Sequence, residues 1–355
     1  MTDNTVHYYN HLLEVTQQAL VRIRKKIYNI GTLRLCWVIL TLTVLYFLWG
    51  YNTGIIIGTI IAGIACFLGM MRIHDRFFAR KSFLEAKISI CKKELQLKRF
   101  DFEGIDTGKE YIDPTHDFSN DLDIFGKKSL FAYLNRSASL IGQQKLVEWI
   151  THPLTDPDKI RNRQQAVEEL SLLTELRIDF LANGMTSRES KTDAQIISEL
   201  SDDSPIYVSK WLRIILPFIP WIFGILILMW IFGVGTGNYI LFLFLTCFCY
   251  ATILSGRVSR TQNKLNEGLK SLNTYAGLIE QLEKSEFSSS LLQNIRTDLH
   301  TEGIPVSSRI KQLGKYLRNL DQRYNAIGFA ILNGFFLWDF KQLAAIEKWI
   351  RNNGK

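Results

Sequence analysis

The chain has 355 residues, 47% of them hydrophobic, and a formal charge of +8. Every residue from Leu35 to Met71 and from Ile214 to Gly256 is uncharged, which excludes an ordinary water-soluble globule. Its five cysteines form no Cys-x-x-Cys pair and no Cys/His cluster of metal spacing, which excludes a zinc site of that kind.

Residues 4–28 read as an amphipathic helix, with Val6, Tyr9, Leu13, Leu20, Ile23 and Ile27 near one side. Each uncharged run is too long for one span of about 20 residues. Each also carries a polar break, at Gly50-Tyr51-Asn52-Thr53-Gly54 and at Gly233-Val234-Gly235-Thr236-Gly237-Asn238. The pattern predicts four transmembrane helices in two tight hairpins, over about 33–50, 54–72, 212–232 and 238–256. A polar helix before the first span and a second span directly after it argue against a signal peptide. Arg22, Arg24, Lys25, Lys26 and Arg34 precede the first span; Arg72, Arg76, Arg80 and Lys81 follow the second. Lys210 and Arg213 precede the third, and Arg257 and Arg260 follow the fourth. By the positive-inside rule both termini and all soluble segments are expected in the cytoplasm, with the spans in an inner or plasma membrane. Much of the positive charge is then a collar at the lipid surface, with a sequence-independent nucleic-acid surface as the alternative. Gly54, Gly58 and Ala62 place small residues on one face of the second span, for packing within the hairpin or for dimerisation.

The pattern stays helical and basic from Arg72 to about Arg99, and residues 100–120 form a loop rich in acids. The next stretch has the most distinctive wording. It reads Asp121-Leu122-Asp123-Ile124-Phe125-Gly126, Ser129-Leu130-Phe131 and Leu134-Asn135-Arg136. Gly142, Leu146, Trp149, Pro153-Leu154, Asp156, Ile160 and Arg163-Gln164 follow. The spacing predicts two amphipathic helices, with Leu130, Leu134, Ile141, Leu146, Trp149 and Ile150 on one buried stripe. Pro153 stops the first helix; Asp156 caps the second, with Pro157 at its first position and Ile160, Val167 and Leu170 on one face.

This wording resembles the start of the core domain of the MutS family, the DNA mismatch-repair ATPases and their relatives, and above all its membrane-anchored members. The run from Gly142 to Trp149, Pro153-Leu154-x-Asp156 and Ile160-x-x-Arg163 keeps the family spacing. Two departures stand out: Ser137-Ala138-Ser139 replaces Thr-x-Thr, and Gln144 replaces a basic residue. The resemblance implies that Asp123, Phe125, Gly126, Ser129, Leu130, Leu134, Asn135, Gly142, Leu146, Trp149, Pro153, Leu154, Asp156, Ile160, Arg163 and Gln164 are structural positions that transmit motion. None would be catalytic, cofactor-binding or metal-binding. It also implies a dimeric parent that couples ATP binding to clamping on DNA or another nucleic acid.

ATP and magnesium belong to an ATPase domain that follows the core in the family, and the phosphate loop it needs is missing here. Gly104-Ile105-Asp106-Thr107-Gly108-Lys109-Glu110 is one residue short between its glycines and ends in Glu. No cofactor and no small-molecule substrate are therefore expected. Phe83-Leu84-Glu85 matches the letters of the family's mismatch-reading wedge but sits in the basic helix beside the membrane. Lys127-Lys128 and His116 read as solvated loop residues.

Residues 181–210 are polar, with a break at Asp202-Asp203-Ser204-Pro205. From Val258 to about Thr297 the chain reads as one long helix. Leu265, Leu269, Leu272, Ala276 and Ile279 follow heptad spacing there, and the resemblance implies a lever. Gly303-Ile304-Pro305 breaks the chain, and Ser307 or Ser308 caps a final helical region. Ala326 to Trp338 is uncharged but too short to span a bilayer. It needs a partner, as does the 130–150 stripe, so the two are expected to share one core. The fold class is thus all-α: two membrane hairpins and a cytoplasmic MutS-core-like body with a lever-type helix. Its segments are 1–32, 33–72, 73–210, 211–256 and 257–355. The rival reading is a non-enzymatic membrane scaffold that uses the same core for protein contacts.

Overall fold

The computed structural model describes residues 2–50, 53–185, 208–301, 303–324 and 326–353, and they are mostly helical. Strand among the described residues is confined to His300–Thr301 (β1) paired antiparallel with Ile304–Pro305 (β2). The chain divides into two units, Met1–Ile160 with Leu170–Thr186, and Arg161–Glu169 with Ser187–Lys355.

The first unit is built on α1 (Thr2–Phe47) and α2 (Thr53–Lys98), 46 residues each, which makes each about 69 Å long. The first proline of the chain is Pro114, so nothing breaks either helix. The segment boundaries expected at 32/33 and 72/73 fall inside continuous helix. Gly50 takes φ +97 at the turn, a conformation glycine tolerates. The pair is antiparallel: Arg24 meets Glu85 at 3.0 Å and the indole Nε1 of Trp37 donates to the Gly63 carbonyl at 3.1 Å. At the opposite end from this turn, Tyr9 of α1 and Ala86, Ile90 and Cys91 of α2 pack with Ile178 and Ala182 of α6 (Thr174–Met185).

Between α2 and α6 lie α3 (Leu130–Leu134), α4 (Leu140–Thr151) and α5 (Pro157–Leu172). The predicted first helix is thus two helices. Asn135 ends α3 because its Oδ1 accepts from the Ser137 amide at 3.0 Å, a local turn that competes with helix. The break destroys the predicted stripe: Leu130, Leu134, Ile141 and Trp149 are each nearly half exposed. Phe131, with no exposed surface, carries the burial instead, in a cluster with Ile124, Phe125, Leu146, Val147 and Ile150. Val167 on α5 is exposed as well.

The second unit contains α7 (Lys210–Ile215), α8 (Ile219–Ile231), α9 (Gly237–Lys284), α10 (Ser290–Asp298), α11 (Val306–Leu320), α12 (Ala326–Phe336) and α13 (Trp338–Asn353). Three described helices, α1, α2 and α9, are long and apolar enough to cross a membrane. The third predicted span is not one helix. Pro217 lies in a turn at 216–218 that divides it into α7 and the 13-residue α8, with Pro220 in the first turn of α8; α8 is about 20 Å long against a hydrocarbon core of about 30 Å.

α9 carries its apolar stretch unbroken past Val258 and ends at Lys284, earlier than predicted; the loop 285–289 separates it from α10. Ala276 is buried, while the side chains of Leu265, Leu269 and Leu272 and the segment around Asp202 lie outside the described residues. α11 starts at Val306 without a serine cap. Glu283 accepts from the amide of Ser307 at 3.1 Å and from its hydroxyl. The run 326–338 belongs to the second unit, where its cluster includes Leu216, Ile219, Phe223, Cys247, Leu337 and Phe340, with Phe329 and Phe335 packed on it.

Candidate functional site

The motif residues converge on the C-terminal end of α2. Asp106 is the hub of the loop that precedes them. Its Oδ1 accepts from the Gly108 amide at 3.0 Å, and its Oδ2 from Gln143 Nε2 at 2.9 Å and Asn135 Nδ2 at 3.4 Å. Asn135 is buried, so its amide must be satisfied internally, and Asp106 and Ser137 do that. Gly108 takes φ +61, and a Cβ there would lie 2.6 Å from the Phe131 ring. The loop can therefore close over Phe131 only with glycine at this point.

Arg136 fastens the assembly to α2. Its Nε and Nη2 donate to the two oxygens of Glu94 at 2.5 and 3.1 Å, and its Nη1 donates to the Tyr133 carbonyl at 2.6 Å. A bidentate pair of this kind fixes direction as well as distance. Lys93 reaches the Asn135 carbonyl at 3.4 Å; burial and, next, the Arg136 charge hold its pKa below the usual lysine value. On the other side α6 closes on the loop. A Cβ on Gly184 would meet the Ala138 carbonyl oxygen at 2.5 Å.

The remaining motif positions lie in α3, α4, α5 and the loops beside them. Ser129 and Ser139 cap α3 and α4 by accepting from Ala132 and Gly142 at 3.2 and 3.0 Å. At Ser139, serine thus supplies the capping hydroxyl in place of the threonine of the resembled pattern. Asp156 caps α5, with Pro157 at its first turn as predicted. Phe125 is buried, Gly126 takes φ +110, and Asp123 is an exposed residue at φ +49. Leu146, Leu154 and Ile160 are half-buried; Pro153 and Gln164 are exposed and Arg163 is partly covered. Glu94 and Asp106, the partners that organise the motif, were not singled out from sequence, because a lone carboxylate carries no spacing signal. On α2, Gly54, Gly58 and Ala62 are exposed, and it is Gly63 that packs on α1, against Thr41.

No group of three or more His, Cys, Asp or Glu residues placed to hold a metal ion occurs among the described residues. The family model for MutS domain III matches residues 114–323. The chain belongs to the MutS family. Over 54 residues this MutS-family chain is 44% identical to the DNA mismatch repair protein MSH3 of Lodderomyces elongisporus, covering 15% of this chain and 5% of that protein. It is 33% identical over 69 residues to the DNA mismatch repair protein MSH3 of Candida albicans, covering 19% of this chain and 7% of that protein. The matched segments are thus a small part of the curated relatives' length. No solved structure matches. The domain III interval brackets the second apolar stretch, 214–256, as well as the motif junction.

Proposed function

We propose that this chain is the anchoring, core and lever portion of a membrane-bound MutS-type ATPase. Its helices would pass motion between a clamp on nucleic acid and an ATPase domain outside this sequence. The observation that carries the reading is continuity: α1, α2 and α9 each run without interruption from an uncharged stretch of spanning length into packed core. The polar atoms of those stretches support it. Thr41, Thr43, Thr59, Thr246 and Thr252 each donate to the carbonyl four residues before, at 2.8–2.9 Å, so these hydroxyls need no water. Tyr46, Trp49, Trp230 and Tyr239 are exposed at the two hairpin tips, where interfacial aromatics belong. In this reading α7 and α8 together make the return arm to α9, so each unit inserts one hairpin and the soluble parts face the cytoplasm. This stretch itself supplies no ATP chemistry.

Nucleic-acid contact would be electrostatic and indifferent to sequence, from exposed lysine and arginine. The test is a titration of labelled duplexes, matched and mismatched, against the chain in neutral-lipid nanodiscs at two salt concentrations. Equal affinities that fall steeply with salt are expected. No binding at low salt would favour a membrane scaffold; a preference for the mismatched duplex would contradict the sequence-independent contact.

A further inference from the structure

The packing of α12 is unusual for a helix of a soluble core. Its ring at Phe335 lies 5.0 Å from Phe244 of α9 and 5.0 Å from Phe223 of α8, and Phe329 lies 6.0 Å from Phe248. Phe244 and Phe248 sit in the middle of the uncharged stretch of α9, not at its cytoplasmic end. Gly334 is buried, and any Cβ there would overlap the Phe244 ring, so the two helices touch closely. α12 has no charged residue from Ala326 to Phe336, while its Ile331 and Phe336 face outward.

The geometry points to α12 as a re-entrant membrane element: the α12–α13 turn enters the core-side half of the bilayer beside α8 and α9, and its exposed face meets acyl chains. The inference rests on the membrane reading of α9. Length agrees, since 11 residues rise about 16 Å, half of a hydrocarbon core of about 30 Å. Irregular backbone at such depth must be satisfied without water, and the amides of Leu337, Asp339, Phe340 and Lys341 are. Leu337 turns the chain at φ +44, and its amide donates to the Asn333 carbonyl at 3.1 Å. Asn333, 1% exposed, accepts from the Asp339 amide through its side chain at 3.0 Å. The amides of Phe340 and Lys341 donate to the Leu337 carbonyl at 3.1 and 3.2 Å.

Two opposite charges are buried together at the base of the turn, although the Asp339 carboxylate oxygens accept no hydrogen bond. Arg323 is buried, donates to the Ser255 carbonyl and hydroxyl at 3.0 and 2.7 Å, and lies 3.6 Å from Asp339. An ion pair at that depth is retained only when it is paired inside the protein.

The test uses the full chain in vesicles with all five cysteines replaced. A bimane label is placed singly at Ile331→Cys, at Ile225→Cys on α8, at Ile61→Cys on α2 or at Leu172→Cys on α5. Lipids brominated in mid-chain should quench the label at Ile331 to within about twofold of Ile225 and Ile61, and leave that at Leu172 unaffected. Quenching at Ile225 and Ile61 without quenching at Ile331 would overturn the re-entrant helix and leave the membrane reading standing. No quenching at any of the four would overturn the membrane reading and the inference with it.

Discussion

Among single residues, Gly184 gives the sharpest test of the junction that organises the motif. α6 approaches the 137–139 loop so closely that a methyl group would sit 2.5 Å from a backbone oxygen and 2.7 Å from the Ala138 Cβ. Backbone cannot rotate away as a side chain can, so Gly184→Ala should destabilise by about 1–3 kcal/mol. The same change at Gly31, in exposed helix with nothing within 4 Å, should stabilise by up to about 1 kcal/mol through helix propensity. Apparent melting temperatures of the two variants in detergent should therefore move in opposite directions; a fall for both would remove the close approach as the cause. The junction itself was half legible in the sequence. Asp156 and Pro157 declare a helix start by type and order. Asn135 as a helix stop, and its dependence on Asp106 and Glu94 from outside the motif, emerge only from folding.

For whole elements, periodicity located helices well and their faces poorly. The uncharged runs of α1, α2 and α9 could be read because hydropathy is local. The stripe from Leu130 to Ile150 failed because one Asx turn resets the helical phase, leaving Phe131 and Leu146 inward and Trp149 outward. The third span is not one helix because two prolines matter more to backbone than the surrounding apolar residues do. Small residues on α2 show a similar limit. Composition marks Gly54, Gly58 and Ala62, while contact with α1 is made one position further on, where the Trp37 indole reaches the Gly63 carbonyl and Thr41 lies within 2.7 Å of a built Cβ. Gly63→Leu should therefore pry α1 from α2 at a cost of about 1–3 kcal/mol, whereas Gly58→Leu, with open space around it, should leave thermal stability unchanged. Equal losses at both positions would place α1 against the other face of α2.

For the whole molecule, the reading requires both hairpin tips on the side away from the core. Single cysteines at Trp49 and Thr236, in a chain otherwise free of cysteine, should react with an impermeant maleimide added outside intact cells, and one at Leu172 should not. The reverse pattern would invert the molecule. The absence of any joint where α1, α2 and α9 leave their apolar stretches has a further mechanical meaning. From Gly256 to Lys284, α9 continues without a break, an arm on the order of 40 Å. A stiff rod clamped at one end turns a small rotation into a large displacement: about 5° of tilt, the kind of adjustment a change in bilayer thickness imposes, would carry its far end by about 3–4 Å. Glu283 near that end holds the first turn of α11 through the amide and hydroxyl of Ser307. Lipid composition would then act on the body of the protein as an input, felt at a distance through bone rather than sinew.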